Sequence, residues 1–187
     1  MTRDIMLLIV AVVVLAVIAA LAWYVARQRR SQRLRSRFGP EYEHTLREIG
    51  SRPEAEEALA RREKRVEKIH VRSLSRDDRG RFAAEWHDVQ ARFVDDPPGS
   101  IDDADRLVCD VMRTRGYPMS DFDRRAEDLS VDHPYVVRNY RAAHAIAMRH
   151  EKGQASTEDL RQALVYYRDL FDDLLEAHPV GPRETRR

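Results

Sequence analysis

The side chains in this sequence that come nearest to forming a ligand pocket are Tyr140 and His144. Their spacing of four residues places a phenol and an imidazole one turn apart on one face of a helix. His87, from a separate segment, could complete a small-molecule pocket with them. A metal ion would need more ligands converging from other helices, and a single Glu-x-x-His motif ending at His44 does not supply them. We therefore predict no cofactor and no metal, and keep His87, Tyr140 and His144 as a candidate pocket.

Two other groups of residues could take part in catalysis. His133, between Asp132 and Pro134, could be a general base held by a carboxylate. The same three residues are also typical of a helix start, with a capping acid and a proline in the first turn, and we favour that interpretation. Cys109 follows Asp105 by four residues, and a neighbouring carboxylate makes its thiolate less accessible. We therefore predict no catalytic residue and no enzymatic activity.

An excess of acidic residues marks residues 95–132, which hold eleven acids against five arginines. Such a surface favours docking of a basic partner protein. The alternative is that these acids complement the chain's own basic segment at residues 52–81. Asp102, Asp103 and Asp105 are the candidate interaction residues, and the sequence leaves both interpretations open.

Helices must position these side chains, because apolar residues recur at spacings of three and four and no segment alternates like a strand. Polar caps precede four of the apolar stripes, and the capping residues are Ser75, Ser100, Ser120 and Ser156. We predict a charged helix over residues 53–71, a helical bundle over 76–177 and a disordered tail over 178–187.

The N-terminal segment IMLLIVAVVVLAVIAALAWYV, residues 5–25, contains no charged residue. At about 1.5 Å per residue it extends about 32 Å, which matches a bilayer core of about 30 Å. Trp23 and Tyr24 end it as an interfacial aromatic pair would. We therefore predict that it anchors the chain in a membrane, and that residues 26–52 form a basic juxtamembrane segment and linker.

A group of arginines follows the aromatic pair without an intervening acid. These residues, Arg27, Arg29, Arg30, Arg33, Arg35 and Arg37, are predicted to contact anionic lipid headgroups. Residues 1–4 hold only one arginine and one aspartate. The positive-inside rule then predicts that residues 1–4 lie outside the cell and the C-terminal domain lies in the cytoplasm.

Two alternatives for this N-terminal region are weaker. The A-x-A pattern at residues 20–22 would allow cleavage of a signal peptide and export, but the arginines that follow oppose export. A nucleic-acid ligand is also disfavoured. Residues 1–37 carry a net charge of +6, so the overall charge of +1 leaves −5 on residues 38–187. We predict no nucleic-acid partner, since phosphate binding needs clustered positive charge on the domain itself.

Five motifs between residues 38 and 175 are similar to those of a known family. They are EWHDVQARFVDDP, ADRLVCDVMRTRGYP, DLSVDHP, NYRAAH and STEDLRQALVYYRDLF. With them the chain resembles a family of uncharacterised bacterial proteins that have one N-terminal transmembrane helix and an all-helical soluble domain. The resemblance implies the fold and says nothing of an activity.

The predicted fold class is all-α, with a single N-terminal transmembrane helix followed by a small helical bundle. The predicted function is a membrane-tethered, non-enzymatic interaction, scaffold or regulatory adaptor domain with an unknown protein partner, facing the cytoplasm. The alternatives are a bundle with a small-molecule or metal pocket, and an exported protein of the same fold.

Overall fold

A computed structural model describes residues 2–176 of the chain, with side chains from residue 12 onward. Within that range it has eight α-helices and no strand, so the all-α prediction is confirmed. The helices are α1 (Thr2–Phe38), α2 (Pro40–Ile49), α3 (Arg52–Val66), α4 (Arg76–Arg92), α5 (Pro97–Arg115), α6 (Phe122–Asp132), α7 (Val137–Glu151) and α8 (Thr157–Glu176). The predicted tail, residues 178–187, lies outside the described residues. The chain divides into two compact units, residues 1–37 and 38–187.

The first unit consists of α1, whose Val12–Phe38 portion is long and apolar enough to cross a membrane. Apolar side chains along it, such as Leu15 and Ile18, are more than half exposed. The valines at positions 12–14 are weak helix formers in water. In lipid, however, a helix lets the backbone N–H and C=O groups hydrogen-bond to one another. The guanidinium of Arg27 lies over the Trp23 ring, 5.3 Å from the ring centroid.

Helix α2 occupies most of residues 38–51, which the sequence predicts to be a short linker with a partial helix. Gly39 separates it from α1 and has a φ of 46°, which a residue with a side chain rarely adopts. Pro40 then takes the first helical position, where its missing N–H is not needed. The glycine–proline pair therefore starts a new helix as well as ending the previous one, and Gly50 ends α2 in the left-handed conformation.

The hydrophobic core of the second unit lies among α4, α5, α6, α7 and α8. Apolar side chains at helical spacing supply it, as the stripes predict: Phe82, Trp86 and Val89 of α4 are all buried. The Trp86 ring stacks on Phe171 of α8, with 4.7 Å between the ring centroids. This aromatic pair joins α4 to the helix at the centre of the domain.

Two of the predicted helix caps are present. The Ser75 hydroxyl accepts a hydrogen bond from the backbone N–H of Asp78 at 3.0 Å and so caps α4. Ser156 and Asp159 satisfy one another reciprocally at the start of α8: the Ser156 hydroxyl accepts from the Asp159 N–H at 3.2 Å, and the Asp159 carboxylate accepts from the Ser156 N–H at 2.8 Å. These are the capping boxes that the sequence predicts.

The predicted caps of α5 and α6 are wrong, because α5 begins three residues before Ser100 and α6 begins one residue later than a Ser120 cap would place it. Asp96 caps α5, and its carboxylate accepts from the Gly99 N–H at 3.0 Å. The residues between them are prolines, which have no N–H, so Gly99 is the first free donor that a cap can reach. Ser100 is buried inside the helix, and Asp121 takes the place that was assigned to Ser120 in α6.

The charged helix predicted over residues 53–71 ends at Val66. The segment that follows it is hydrogen-bonded to the C-terminal end of α5. The Arg72 N–H donates to the Arg115 carbonyl at 2.9 Å. The buried Arg115 side chain in turn donates from Nη1 to the Leu174 carbonyl at 2.9 Å, in the last turn of α8. Gly116 has a φ of 93°, and a Cβ there would lie 2.9 Å from the His70 carbonyl oxygen. Only glycine fits where these segments meet.

Replacing Trp86 by alanine should lower the free energy of unfolding by about 3 to 5 kcal/mol, as truncating a large buried aromatic does. Trp86 is only 5% exposed, so the lost contact with Phe171 leaves a cavity. Since a domain is stable by about 5 to 15 kcal/mol in total, the melting temperature should fall visibly. Chemical denaturation of the purified protein measures the change.

The matched control is His87→Ala, the exposed neighbouring residue on α4. This change should stay within about 0.5 kcal/mol, as surface substitutions usually do. Equal effects of the two substitutions would contradict the packing of Trp86.

Candidate functional site

The acids of α6 pair with arginines of α3. Arg65 donates to Asp128 at 2.6 Å and to Glu127 at 2.9 Å, and Arg62 reaches Glu127 at 3.3 Å. Burial alone would raise the pKa of Glu127, but the surrounding guanidinium groups outweigh that effect and hold the pKa below its usual value. For this part of residues 95–132, the acids complement the chain's own basic segment.

A buried carboxylate, Glu41 of α2, extends these contacts into a larger network. Its Oε1 accepts from Arg62 Nη1 and from Arg141 Nη2, each at 2.9 Å, and its Oε2 accepts from Arg141 Nη1 at 2.6 Å. Arg62 also donates to the Thr45 hydroxyl at 3.2 Å. Helices α2, α3, α6 and α7 are thus joined through one set of charges, which sequence reasoning missed because it placed Glu41 in a linker.

The three candidate interaction acids on α5 have different surroundings. Asp103 is paired with Arg92 of α4 and with Arg106 of its own helix. Asp102 is exposed, and no ion pair to it occurs among the described residues. Asp105 is half-buried; its Oδ2 lies 4.0 Å from the Cys109 sulfur, and its carboxylate interacts with the Tyr167 hydroxyl of α8. Self-pairing therefore explains Asp103, whereas Asp102 and Asp105 form no direct ion pair among the described residues.

Asp102 and Asp105 also line a cavity of about 430 Å³ between α5, α7 and α8. Its walls combine carboxylates with apolar side chains. The lining residues are Ile101, Asp102, Asp105, Arg106, His144, Ala147, Met148, Glu151 and Tyr167. The cavity brings one member of the predicted pocket, His144, together with two of the predicted interaction acids.

Tyr167 contributes a buried polar atom to this cavity. Its side chain is 0% exposed, and its hydroxyl interacts with the neighbouring Asp105 carboxylate. Burial raises the pKa of Tyr167, and the negative charge of the neighbouring Asp105 raises it further. The phenol therefore stays neutral and can both donate and accept a hydrogen bond.

The imidazole of His144 stacks on Phe122 of α6, with 3.6 Å between the ring centroids and 11° between the ring planes. Burial lowers the pKa of His144, and Asp105 opposes this only in part. His144 is therefore mostly uncharged at neutral pH and adds no positive charge to the cavity.

The pocket predicted from His87, Tyr140 and His144 is not assembled as such. His87 is exposed on α4 and does not line the cavity. Tyr140 is fully buried, 3.4 Å from Arg125 Nε and in contact with the Phe122 and Tyr167 rings. Burial raises the pKa of Tyr140. It lies in the core behind the cavity, so His144 alone of the three lines it.

The cysteine is a poor nucleophile in this environment. Burial raises the pKa of the Cys109 thiol, and the charge of Asp105 raises it further. The thiolate fraction at neutral pH is correspondingly small. This agrees with the expectation from the i, i+4 spacing of the two residues.

His133 ends α6, whereas the sequence predicted it at the start of the following helix, which begins at Val137. Its Nδ1 contacts the Asp173 carboxylate of α8, and its Nε2 is buried without a partner in the described chain. Pro134 follows His133 and lies in a turn before α7, so it does not occupy the first turn of that helix. No sequence signal pointed to Asp173, which lies 40 residues further along.

Among the described residues, no group of three or more histidine, cysteine, aspartate or glutamate side chains is placed to hold a metal ion. The cavity offers instead carboxylate and phenol oxygens around apolar walls. Such a lining can bind a positively charged organic group through charge, hydrogen bonds and apolar contact.

Replacing Glu41 by alanine should destabilise the domain by about 3 to 5 kcal/mol, because it leaves Arg62 without one buried partner and Arg141 with none. The measurement is the free energy of unfolding by chemical denaturation. Glu57→Ala is the control, since Glu57 pairs with Arg61 at 2.6 Å but both side chains are more than 60% exposed. That exposed pair should contribute less than about 1 kcal/mol. If both variants lost the same small amount, the buried network would not stabilise the fold.

Comparison of the chain with models of protein families, with curated proteins and with solved structures finds no match. The resemblance carried by the motifs between residues 38 and 175 therefore stays a prediction. A function for the domain therefore rests on the chemistry of its own side chains.

Proposed function

We propose that this chain is a membrane-tethered, non-enzymatic interaction domain, a scaffold or regulatory adaptor that faces the cytoplasm and recruits a basic partner protein. The observation that carries the proposal is on α5. Asp102 and Asp105 form no direct ion pair within the described residues, while Asp103, Glu127 and Asp128 are paired internally. Uncompensated acids beside a cavity attract a partner of opposite charge.

The tether is α1, whose described portion has the length and apolar composition of a membrane span. Trp23 and Tyr24 fit an interfacial belt, and the arginines after them fit the anionic headgroups of the cytoplasmic leaflet. Lipid is the ligand proposed for these arginines, and nucleic acid is not, because residues 38–187 are net negative.

A second function, a bundle that binds a small molecule, is favoured by the cavity that His144 lines. The two functions use the same wall of α5. They differ in whether the ligand is a free molecule or a group on a protein.

If the helical domain is cytoplasmic, protease added to intact spheroplasts should leave it uncut. The same protease should digest it after the membrane is permeabilised, which controls for intrinsic resistance. Immunoblotting against the domain reads out both conditions. Digestion in sealed spheroplasts would overturn the orientation and favour the exported alternative.

If Asp102 and Asp105 dock a basic partner, changing both to asparagine should reduce recovery of that partner with the intact protein from its native membrane. Recovery with the unchanged protein should also fall as salt rises to physiological strength, because exposed charges are screened over about 8 to 10 Å. The melting temperature of the double variant should stay nearly unchanged, since neither carboxylate has an ion-pair partner to lose.

Asp88→Asn, an exposed acid on α4 outside the cavity, is the matched control for net charge. Asp103 is left unchanged, because its pairs with Arg92 and Arg106 support the fold. A salt-independent interaction, or equal loss with Asp88→Asn, would reject the docking role of these two acids.

A further inference from the structure

Helices α2 and α3 lie outside the main hydrophobic core. Among the described residues, that core draws its side chains from α4 to α8 and the adjoining loops, and none from residues 40–66. The buried apolar side chains of these two helices, such as Tyr42 and Leu59, do not belong to the core cluster. Burial in a shared core is the main stabilising force within a domain. The α4–α8 bundle is held by that core, whereas α2 and α3 are held to it by other contacts.

Helices α2 and α3 form a hairpin with buried polar contacts of its own. The Tyr42 hydroxyl donates to Glu56 Oε1 at 2.8 Å. Arg62 Nη1 donates to the Thr45 hydroxyl at 3.2 Å and to Glu41 Oε1 at 2.9 Å. These contacts join the two helices of the hairpin to one another. Contiguous supersecondary units of this kind are the ones that open cooperatively in folded proteins.

Ion pairs join the α2–α3 hairpin to the bundle at α6 and α7. The four pairs are Arg62–Glu127, Arg65–Glu127, Arg65–Asp128 and Arg141–Glu41. Forming these pairs removes the charges from water, and the cost of desolvation offsets much of their attraction. The pairs therefore fix the orientation of the hairpin, but they contribute less net docking free energy than well-packed apolar side chains of similar volume would.

Opening this interface differs from truncating one of its residues. Truncation of Glu41 leaves the Arg141 guanidinium in the protein without its partner, which is costly. Opening carries the members of each broken pair into water, so that no charge stays buried and unpaired. The hairpin can therefore leave the bundle at a lower free energy than the bundle itself needs to unfold.

The chain that follows the hairpin stays attached to the bundle. Arg72 Nε donates to the Thr114 carbonyl at 2.6 Å, and Arg115 Nε donates to the Arg72 carbonyl at 3.3 Å. Leu74 belongs to the main core. Residues 67–70, which lie outside any helix, separate α3 from this attached segment. They are the hinge about which the hairpin can move.

We propose that the α2–α3 hairpin is a releasable strap, which opens as one unit while the α4–α8 bundle stays folded. Opening returns Glu127 and Asp128 of α6 to solvent and so adds two carboxylates to the acidic surface of the bundle. It also makes residues 40–66 part of the linker between α1 and the bundle. The strap thus changes the reach of the bundle and its surface charge in a single step.

Hydrogen exchange of the full chain in detergent micelles, read by mass spectrometry of peptic fragments, tests the strap. After correction for intrinsic rates, the slowest amides of α2 and α3 should exchange at least about tenfold faster than the slowest amides of α5 and α8, because they need only the sub-global opening. Low concentrations of urea should speed the bundle amides more steeply, since global unfolding exposes more surface than opening of the strap.

Two substitutions distinguish a separate opening from frayed helix ends. Val89→Ala truncates a buried residue of α4 and should speed the bundle amides about tenfold, while the strap amides stay unchanged. Glu41→Ala should speed the strap amides at least about a hundredfold, because the docked state alone contains the buried ion pairs. Glu57→Ala is the control on α3, and its exposed pair with Arg61 should alter neither set by more than about twofold.

Glu127→Gln weakens two of the ion pairs without leaving a cavity, so it should act in the same direction as Glu41→Ala and serves if that variant does not fold. A common opening free energy for strap and bundle amides, or equal acceleration of both by Val89→Ala, would overturn the proposal. Strap amides that ignore both glutamate substitutions would also overturn it. The measurement needs no partner and no membrane orientation, so its failure would leave the proposed docking function standing.

Discussion

The buried carboxylate of Glu41 is the contact on which the arrangement of the helices around it depends. Removing a carboxylate from water costs several kcal/mol, and only close partners offset that cost. Both of its oxygens are engaged, one by Arg62 and Arg141 together and the other by Arg141 alone. Since these partners come from α3 and α7, a shift of α2, α3 or α7 would break at least one ion pair of a buried carboxylate. The network therefore specifies how α2, α3 and α7 pack as well as stabilising them.

The sequence predicts the helices of the core well, because apolar periodicity records which face of each helix is buried. The stripe through Phe82, Trp86 and Val89 and the capping boxes at Ser75 and Ser156 are local signals. The start of α5 is predicted wrongly, since consecutive prolines move the first available N–H along the chain. Glu41 shows the larger limit: periodicity locates buried apolar residues and contains no information on which charged residue will be buried with them.

The candidate site was predictable only in part, for the same reason. The charge excess of residues 95–132 led to Asp102 and Asp105, but only the fold separates them from acids that pair with α3. Tyr167 lies on the apolar stripe of α8 and looks in sequence like any other core aromatic. Its hydroxyl meets the Asp105 carboxylate only when α8 packs beside α5. The spacing of four residues groups Tyr140 with His144, and His87 comes from a separate segment; in the fold His144 alone lines the cavity, because Tyr140 is buried in the core and His87 is exposed on α4.

The choice of arginine in the Glu41 network has a consequence for alkaline and acid conditions. Guanidinium groups keep their charge throughout the range in which proteins fold, whereas lysine ammonium groups do not. The three lysines, Lys64, Lys68 and Lys152, take no part in it. On the acid side, the pKa of Glu127 is depressed in the folded state, so its contribution is present above its unfolded pKa and is lost as pH falls through the folded value. The ion pairs of Glu127 are therefore weakened by acid, while the guanidinium groups of the network keep their charge in alkali.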